Sequence, residues 1–290
     1  MIDYSFISKE ELEEKIEKIK ELEQKLIDTE KKLNELNKNL EQKVIDRTVE
    51  VNKLLIHKSR FIDNLSHDLG TPLTPLMSLL PLINEEVKDP KIKDMIDTCI
   101  RNVQYIRRVV NNTRELAELS STNLLLKKEN LYDIVEGLNK KYEIVFKSCN
   151  IKVQNNINKN VFVKTEKNRL IQLFDHIISN AVNSMTKSGG LLTFESKPIL
   201  KESEPFVQIS VKDTGIGLTK EQINRIFDEF YKTDSSRHKL DSTGLGLTIC
   251  KNIVEKHNGK IWAFSDGLGT GATIYFTIPS SEVVFDRSFL

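Results

Sequence analysis

The chain has 290 residues, 39% of them hydrophobic and 29% charged, with a formal net charge of +1; that is length for more than one domain and at least one true core, without the electrostatic footprint of a nucleic-acid or anionic-membrane binder. Three cysteines, Cys99, Cys149 and Cys250, lie far apart, giving neither a disulfide framework nor metal-ligand spacing and fitting reduced thiols. The amino terminus lacks an apolar signal core, and the most apolar stretch, Leu73 to Ile83, is too short for a bilayer and holds Pro75 and Pro81, so a cytoplasmic location is expected, with the signal sensed there or received from an upstream sensor partner.

Ser8-Lys-Glu-Glu11 is a capping box, and no Pro or Gly occurs from residue 9 to 58; a long helix is predicted. Leu12, Leu26, Leu33 and Leu40 keep a seven-residue register, which slips by four through Val44 and Thr48 and resumes at Val51 and Leu55, a stutter. Glu, Lys and Asn fill the other faces, and Glu23, Glu30, Asn37 and Arg47 fall on the seam. A parallel two-stranded coiled coil is expected over 1–57, with a charged single helix or solvated linker as the alternative.

The helical pattern runs on into a second region, 58–122. Ile62, Leu65, Leu69, Leu73 and Leu76 share one face, and His67 and Thr71 lie opposite, toward solvent. An exposed histidine is most often only surface. Here Asp68 follows it, and a carboxylate there can accept the Nδ1 proton and aim Nε2 outward as a nucleophile. Gly70 weakens the helix by roughly 1 kcal/mol relative to Ala, and Pro72 is expected to kink it. Asp89-Pro90 marks a turn before a helix with Ile92, Met95, Ile96, Cys99, Val103, Ile106, Val110, Leu116 and Leu119 on a broad stripe. The result is an αα-hairpin, and two copies would make a four-helix bundle in a homodimer.

From about Asn123 the pattern is α+β, expected to form a domain over 123–280 with a tail at 281–290. Strands are predicted at 124–128, 151–156, 161–165, 191–197, 206–212, 260–265 and 273–278. Helices are predicted at 131–147, at 166–187 capped by Thr165, after the capping box Thr219–Gln222, and at 247–257 with Gly259 as its stop. This is a two-layer sandwich of helices on a mixed sheet. On the helix after Thr165, Leu170, Phe174, Ile177, Ala181 and Met185 form a stripe to be buried. His176, Asn180, Asn183 and Lys187 gather on another side. That column of neutral and cationic groups suits a metal-phosphate ligand, or simply solvent.

Asp213-Thr-Gly215-Ile-Gly217 follows a strand. The carboxylate can accept from an exocyclic amine, and the glycines let the backbone approach a ligand; alone, the motif also fits an ordinary strand-to-helix turn. Gly244-Leu245-Gly246 opens a helix whose free N–H groups suit phosphates. Between them, KTDSSRHKLDST reads as a mobile lid.

In this order the motifs resemble those of sensor histidine kinases of two-component systems. FIDNLSHDLGTPLTPL resembles the H-box, SNAVNSMTKSGG the N-box, DTGIGL the G1-box, IFDEFYKTD the F-box and TGLGLTI the G2-box. The resemblance covers roughly residues 55 to 280 and implies an ATPase fold of the Bergerat type shared with gyrase and heat-shock chaperones. It implies ATP and Mg2+ as cofactors, autophosphorylation of His67, and transfer to an aspartate on the receiver domain of a response regulator. By the same resemblance Asn180 holds Mg2+, Asp213 binds the adenine amine, and Gly215 and Gly217 shape the purine pocket. Phe227 and Phe230 anchor the lid, Lys232 contacts phosphate, and Gly244, Leu245 and Gly246 bring N–H groups to the phosphates. Thr71 positions water for dephosphorylating the regulator. His176 stands where the family often has Asn, and Asn183 where many members have Lys; Lys187 is expected to substitute for the latter in part. A regulator-directed phosphatase and a non-catalytic dimeric ATP-binding scaffold are the rival functions.

Overall fold

The computed structural model describes residues 9–122, 124–185, 189–232 and 242–281. The chain divides after His57 into two units. In the first, residues 9–57 are helical throughout, the opening part of α1 (Lys9–Glu86). Leu12, Leu26, Leu33 and Leu40 stand exposed along it, so in a single chain the seven-residue spacing has no core to build. Ser8 of the expected capping box lies outside the described residues.

In the second unit, α1 stays helical across Pro72, Pro75 and Pro81 and ends at Glu86. Each proline lacks the N–H that would bond one turn back, and its ring crowds that carbonyl; between them the Thr71, Thr74 and Ser78 hydroxyls donate to the His67, Gly70 and Thr74 carbonyls. Asp89 caps α2 (Pro90–Ser121) by accepting from Lys91 N at 2.8 Å, with Pro90 where a missing N–H costs nothing. The two helices are pinned by Asn84 donating to Asp97 at 2.8 Å and by Arg114 3.4 Å from Asp63. Leu73, Val103 and Val110 are buried, whereas Leu65, Leu69 and Leu76 remain exposed.

The rest is the expected sandwich. A ribbon of β1 (Lys127–Asn130) against β3 (Phe162–Thr165) forms one sheet and lies beside a second, five-stranded one, with a bridge between Val163 and Ser280. That sheet comprises β2 (Ile151–Asn155), β4 (Gly190–Lys201), β5 (Glu204–Asp213), β6 (Ile261–Phe264) and β7 (Thr273–Pro279), in the order β2-β4-β5-β7-β6. Only β2 and β4 pair in parallel. Helices α3 (Leu131–Lys141), α5 (Lys167–Ser184) and α7 (Gly246–Lys256) supply the other layer. The predicted stripe of α5 is its buried face. Phe174 meets Phe194 and Phe276 edge-on, centroids 6.0 and 5.5 Å apart.

Three local expectations give way. The helix predicted at 131–147 breaks at Tyr142 into α3 and α4 (Glu143–Ser148), where Tyr142 and Lys141 both donate to Asp175 of α5. Thr165 does not cap α5: Glu166 is the N-cap, without a side-chain bond, and the Thr165 hydroxyl is buried 2.9 Å from His257 Nε2. The first strand starts at Lys127 rather than Leu124, because its register is set by β3. The capping box at Thr219 forms as predicted and opens α6 (Lys220–Arg225).

Candidate nucleotide site and exposed histidine

The last turns of α5, the turn after β5 and the start of α7 converge on a cavity of about 590 Å³, within the size range of small-molecule sites. His176, Asn180 and Asn183 reach it from α5; Asp213 reaches it from the end of β5 and Gly217 from the turn that follows. Lys232, Gly244 and Gly246 line it as well, whereas Gly215 and Leu245, predicted with them, do not. Lys187 lies outside the described residues, as does most of the expected lid.

Asp213 is 7% exposed. Its Oδ1 accepts from Gly215 N at 2.8 Å and from Ser184 Oγ at 3.1 Å. Burial pushes its carboxyl above the usual range, and these donors together with the Ala272 backbone pull it partly back. Ser184 was not singled out from sequence, yet it ties α5 to this turn twice, since its carbonyl also accepts from Ile216 N at 3.2 Å. Gly215 lies beneath the turn, where a Cβ would run into Ser184. Gly217 has φ +69°, and a Cβ there would run into the Gly267 carbonyl.

At the opposite end, Gly244 has φ +76° and lies against the backbone of Phe230 and Tyr231, so a side chain there would drive the two segments apart. No side chain caps α7, which leaves its first N–H groups and positive dipole end facing the cavity through Gly246 and Leu247. Leu245 is buried, and its own N–H goes to Thr243 Oγ1 at 3.2 Å. Phe227 packs on the core, whereas Phe230 is exposed at φ +58°.

One wall has no counterpart in the sequence reading. Arg108 and Asn112, on the hairpin helix α2, line the same cavity. Asn112 donates to Thr243 Oγ1 at 2.7 Å. Glu115, farther along α2, sits 3.6 Å from His176 Nε2, an ion-pair rather than hydrogen-bond separation. The Glu115 carboxyl is held below its usual range: burial opposes this, but His176, Gln172 and Arg169 outweigh it. The Lys232 ammonium lies over the Tyr105 ring, 4.8 Å from its centroid.

His67 lies elsewhere, on the outer face of α1, with its side chain 84% exposed. Its Nδ1 is 3.6 Å from Asp68 Oδ1, and Thr71 donates its hydroxyl proton to the His67 carbonyl at 2.9 Å. The predicted residues thus form two groups, a displayed imidazole with its neighbours and a nucleotide-sized cavity. No His, Cys, Asp and Glu cluster among the described residues could hold a metal by itself, and no described helix is long and apolar enough to cross a membrane.

Residues 57–122 match the His Kinase A (phospho-acceptor) domain family, and residues 165–282 match the histidine kinase-, DNA gyrase B-, and HSP90-like ATPase family. The sensor histidine kinase WalK of Bacillus subtilis (strain 168) is 34% identical over 82% of this chain, which spans 39% of that relative's length. Among solved structures, full-length ShkA in complex with AMPPNP superposes with a TM-score of 0.59 over 76% of this chain and 46% of its own, at 22% identity. Histidine kinase ThkA in complex with response regulator protein TrrA does so at 0.54 over 77% and 61%, at 21% identity; both likenesses speak to the fold. An H-box hairpin joined to an ATPase sandwich whose N-, G1- and G2-box residues share one cavity, matched by both domain families, places this chain in the sensor histidine kinase family.

Proposed function

We propose that the chain works as a homodimeric two-component kinase, moving the γ-phosphoryl group of ATP onto His67 and then to an aspartate on a response regulator. One observation carries this: an imidazole displayed to solvent on a hairpin whose second helix walls a nucleotide-sized cavity. In the transfer, the Nε2 lone pair attacks the γ-phosphorus, the bond to the ADP oxygen breaks, and the Nδ1 proton moves toward Asp68. Such a step needs positioning and charge neutralisation more than covalent help. Asp213 accepts the adenine amine, and the N–H groups opening α7 together with Lys232 meet the phosphates.

Mg2+ fits these residues. Asn180 offers an amide oxygen on the cavity wall, and with no carboxylate cluster among the described residues the nucleotide would complete the ligand set. When bound, the ion offsets charge on the β- and γ-phosphates. The ThkA–TrrA complex supplies the precedent for a regulator as partner, and Thr71, one turn beyond His67, is the candidate for orienting water when the regulator is dephosphorylated. The exposed seam of residues 9–57 and the exposed Leu65 and Leu69 support a dimer.

Incubation with γ-labelled Mg-ATP tests the reading. The expected product carries an acid-labile, alkali-stable label that His67→Ala abolishes. Label retained in His67→Ala refutes the assignment; ATP bound without labelling favours the phosphatase or the scaffold.

A further inference from the structure

We propose that Arg108 of the hairpin is itself a phosphate-contacting residue of the nucleotide site, so that ATP is gripped between the hairpin and the ATPase sandwich rather than by the sandwich alone. The inference rests on the ATP reading above.

Tyr105, Arg108, Asn112 and Glu115 follow one another at spacings of three, four and three, which puts them on one face of α2. Tyr105 holds Lys232, Asn112 holds Thr243 and Glu115 faces His176. Each partner borders the end of the cavity where α7 begins. Arg108, in the middle of that row, lines the cavity itself.

Charge gives the row its purpose. A triphosphate brings several negative charges. Among the described lining residues the lysines and arginines are Lys232 and Arg108, and Asn183 is neutral. Half of that fixed positive charge therefore comes from the hairpin. A guanidinium fork pairs two phosphate oxygens at once, which an ammonium cannot do. Asn112 fixes the distance between α2 and the Gly244 turn, so the guanidinium and the α7 N–H groups face the same space.

The test uses the full chain with Mg2+ and measures binding of a non-hydrolysable ATP analogue and of adenosine by calorimetry or competition. Arg108→Gln should weaken the triphosphate by roughly tenfold or more and leave adenosine unchanged. Arg108→Lys should recover part of the loss. Thermal midpoints without ligand check that both variants fold. Equal weakening of the two ligands, or no weakening, overturns the inference and leaves Arg108 as a docking contact. Failure of the wild-type chain to bind the analogue overturns the ATP reading and this inference with it.

Discussion

The hairpin and the sandwich solve opposite problems. The sandwich buries what matters: Phe174, Phe194 and Phe276 fill its centre, and Asp213 lies at 7% exposure beneath its cavity. The hairpin displays what matters: His67 stands in solvent, and the apolar side chains beside it on α1 stay uncovered in one chain. A binding site gains from a low-dielectric, preorganised wall, whereas the nucleophile proposed at His67 would gain from reach. The sandwich carries its own core, whereas the hairpin leaves Leu65, Leu69 and Leu76 uncovered, the face on which the proposed dimer would form.

The contrast can be broken most decisively at the hairpin's uncovered face. Leu65→Asp with Leu69→Asp should turn a dimer into a monomer, read by analytical ultracentrifugation, with ATP affinity unchanged; a variant that stays dimeric would mean the bundle does not form through this face. In the sandwich, Phe174→Ala should cost about 3–5 kcal/mol, measured by denaturant unfolding of the ATPase transition. Asp213→Asn puts an amide where a carboxylate accepts from two donors, and should weaken ATP by about 1.5–3 kcal/mol while leaving the dimer intact.

The smallest effect concerns pH. His257 is buried, with Nδ1 2.7 Å from the Ile253 carbonyl and Nε2 2.9 Å from the Thr165 hydroxyl. A carbonyl can only accept, so Nδ1 carries the proton and Nε2 accepts from Thr165. Burial holds the imidazole below its ordinary value, with the Ile253 bond and the Glu166 charge opposing in part. Protonation therefore favours the unfolded chain. This residue's share of stability is whole above about pH 6.5 and is lost as the pH falls toward the folded value. His257→Gln should flatten that part of the melting-temperature profile; an unchanged slope would assign it to other groups.

What could be read from sequence was what is local. The α5 stripe, the Thr219 capping box and the Asp89-Pro90 turn depend on residues within one or two helical turns, and each formed as expected. Gly217 and Gly244 also sit where close backbone approaches demand them. Thr165 was misread because its partner is His257, 92 residues later; a threonine before a helix looks like a cap until something else claims its hydroxyl. The α2 row escaped notice for the same reason. Nothing near Asn112 announces Thr243, 131 residues away, and a polar helix face with no local partner reads as solvent. Ser184 hid inside a motif whose neighbours drew the attention.

The Ser184 hydroxyl has one proton, and two acceptors compete for it: Asp213 at 3.1 Å and the Ala181 carbonyl at 2.8 Å. Gly215 N–H adds a third group to the same arrangement, and the carboxylate at its centre can take protons but has none to give. A purine bearing an amino group at the facing edge supplies what this corner lacks, whereas one bearing an oxo group there would set lone pair against lone pair. Discrimination of adenine from guanine would thus be exercised chiefly by rejection.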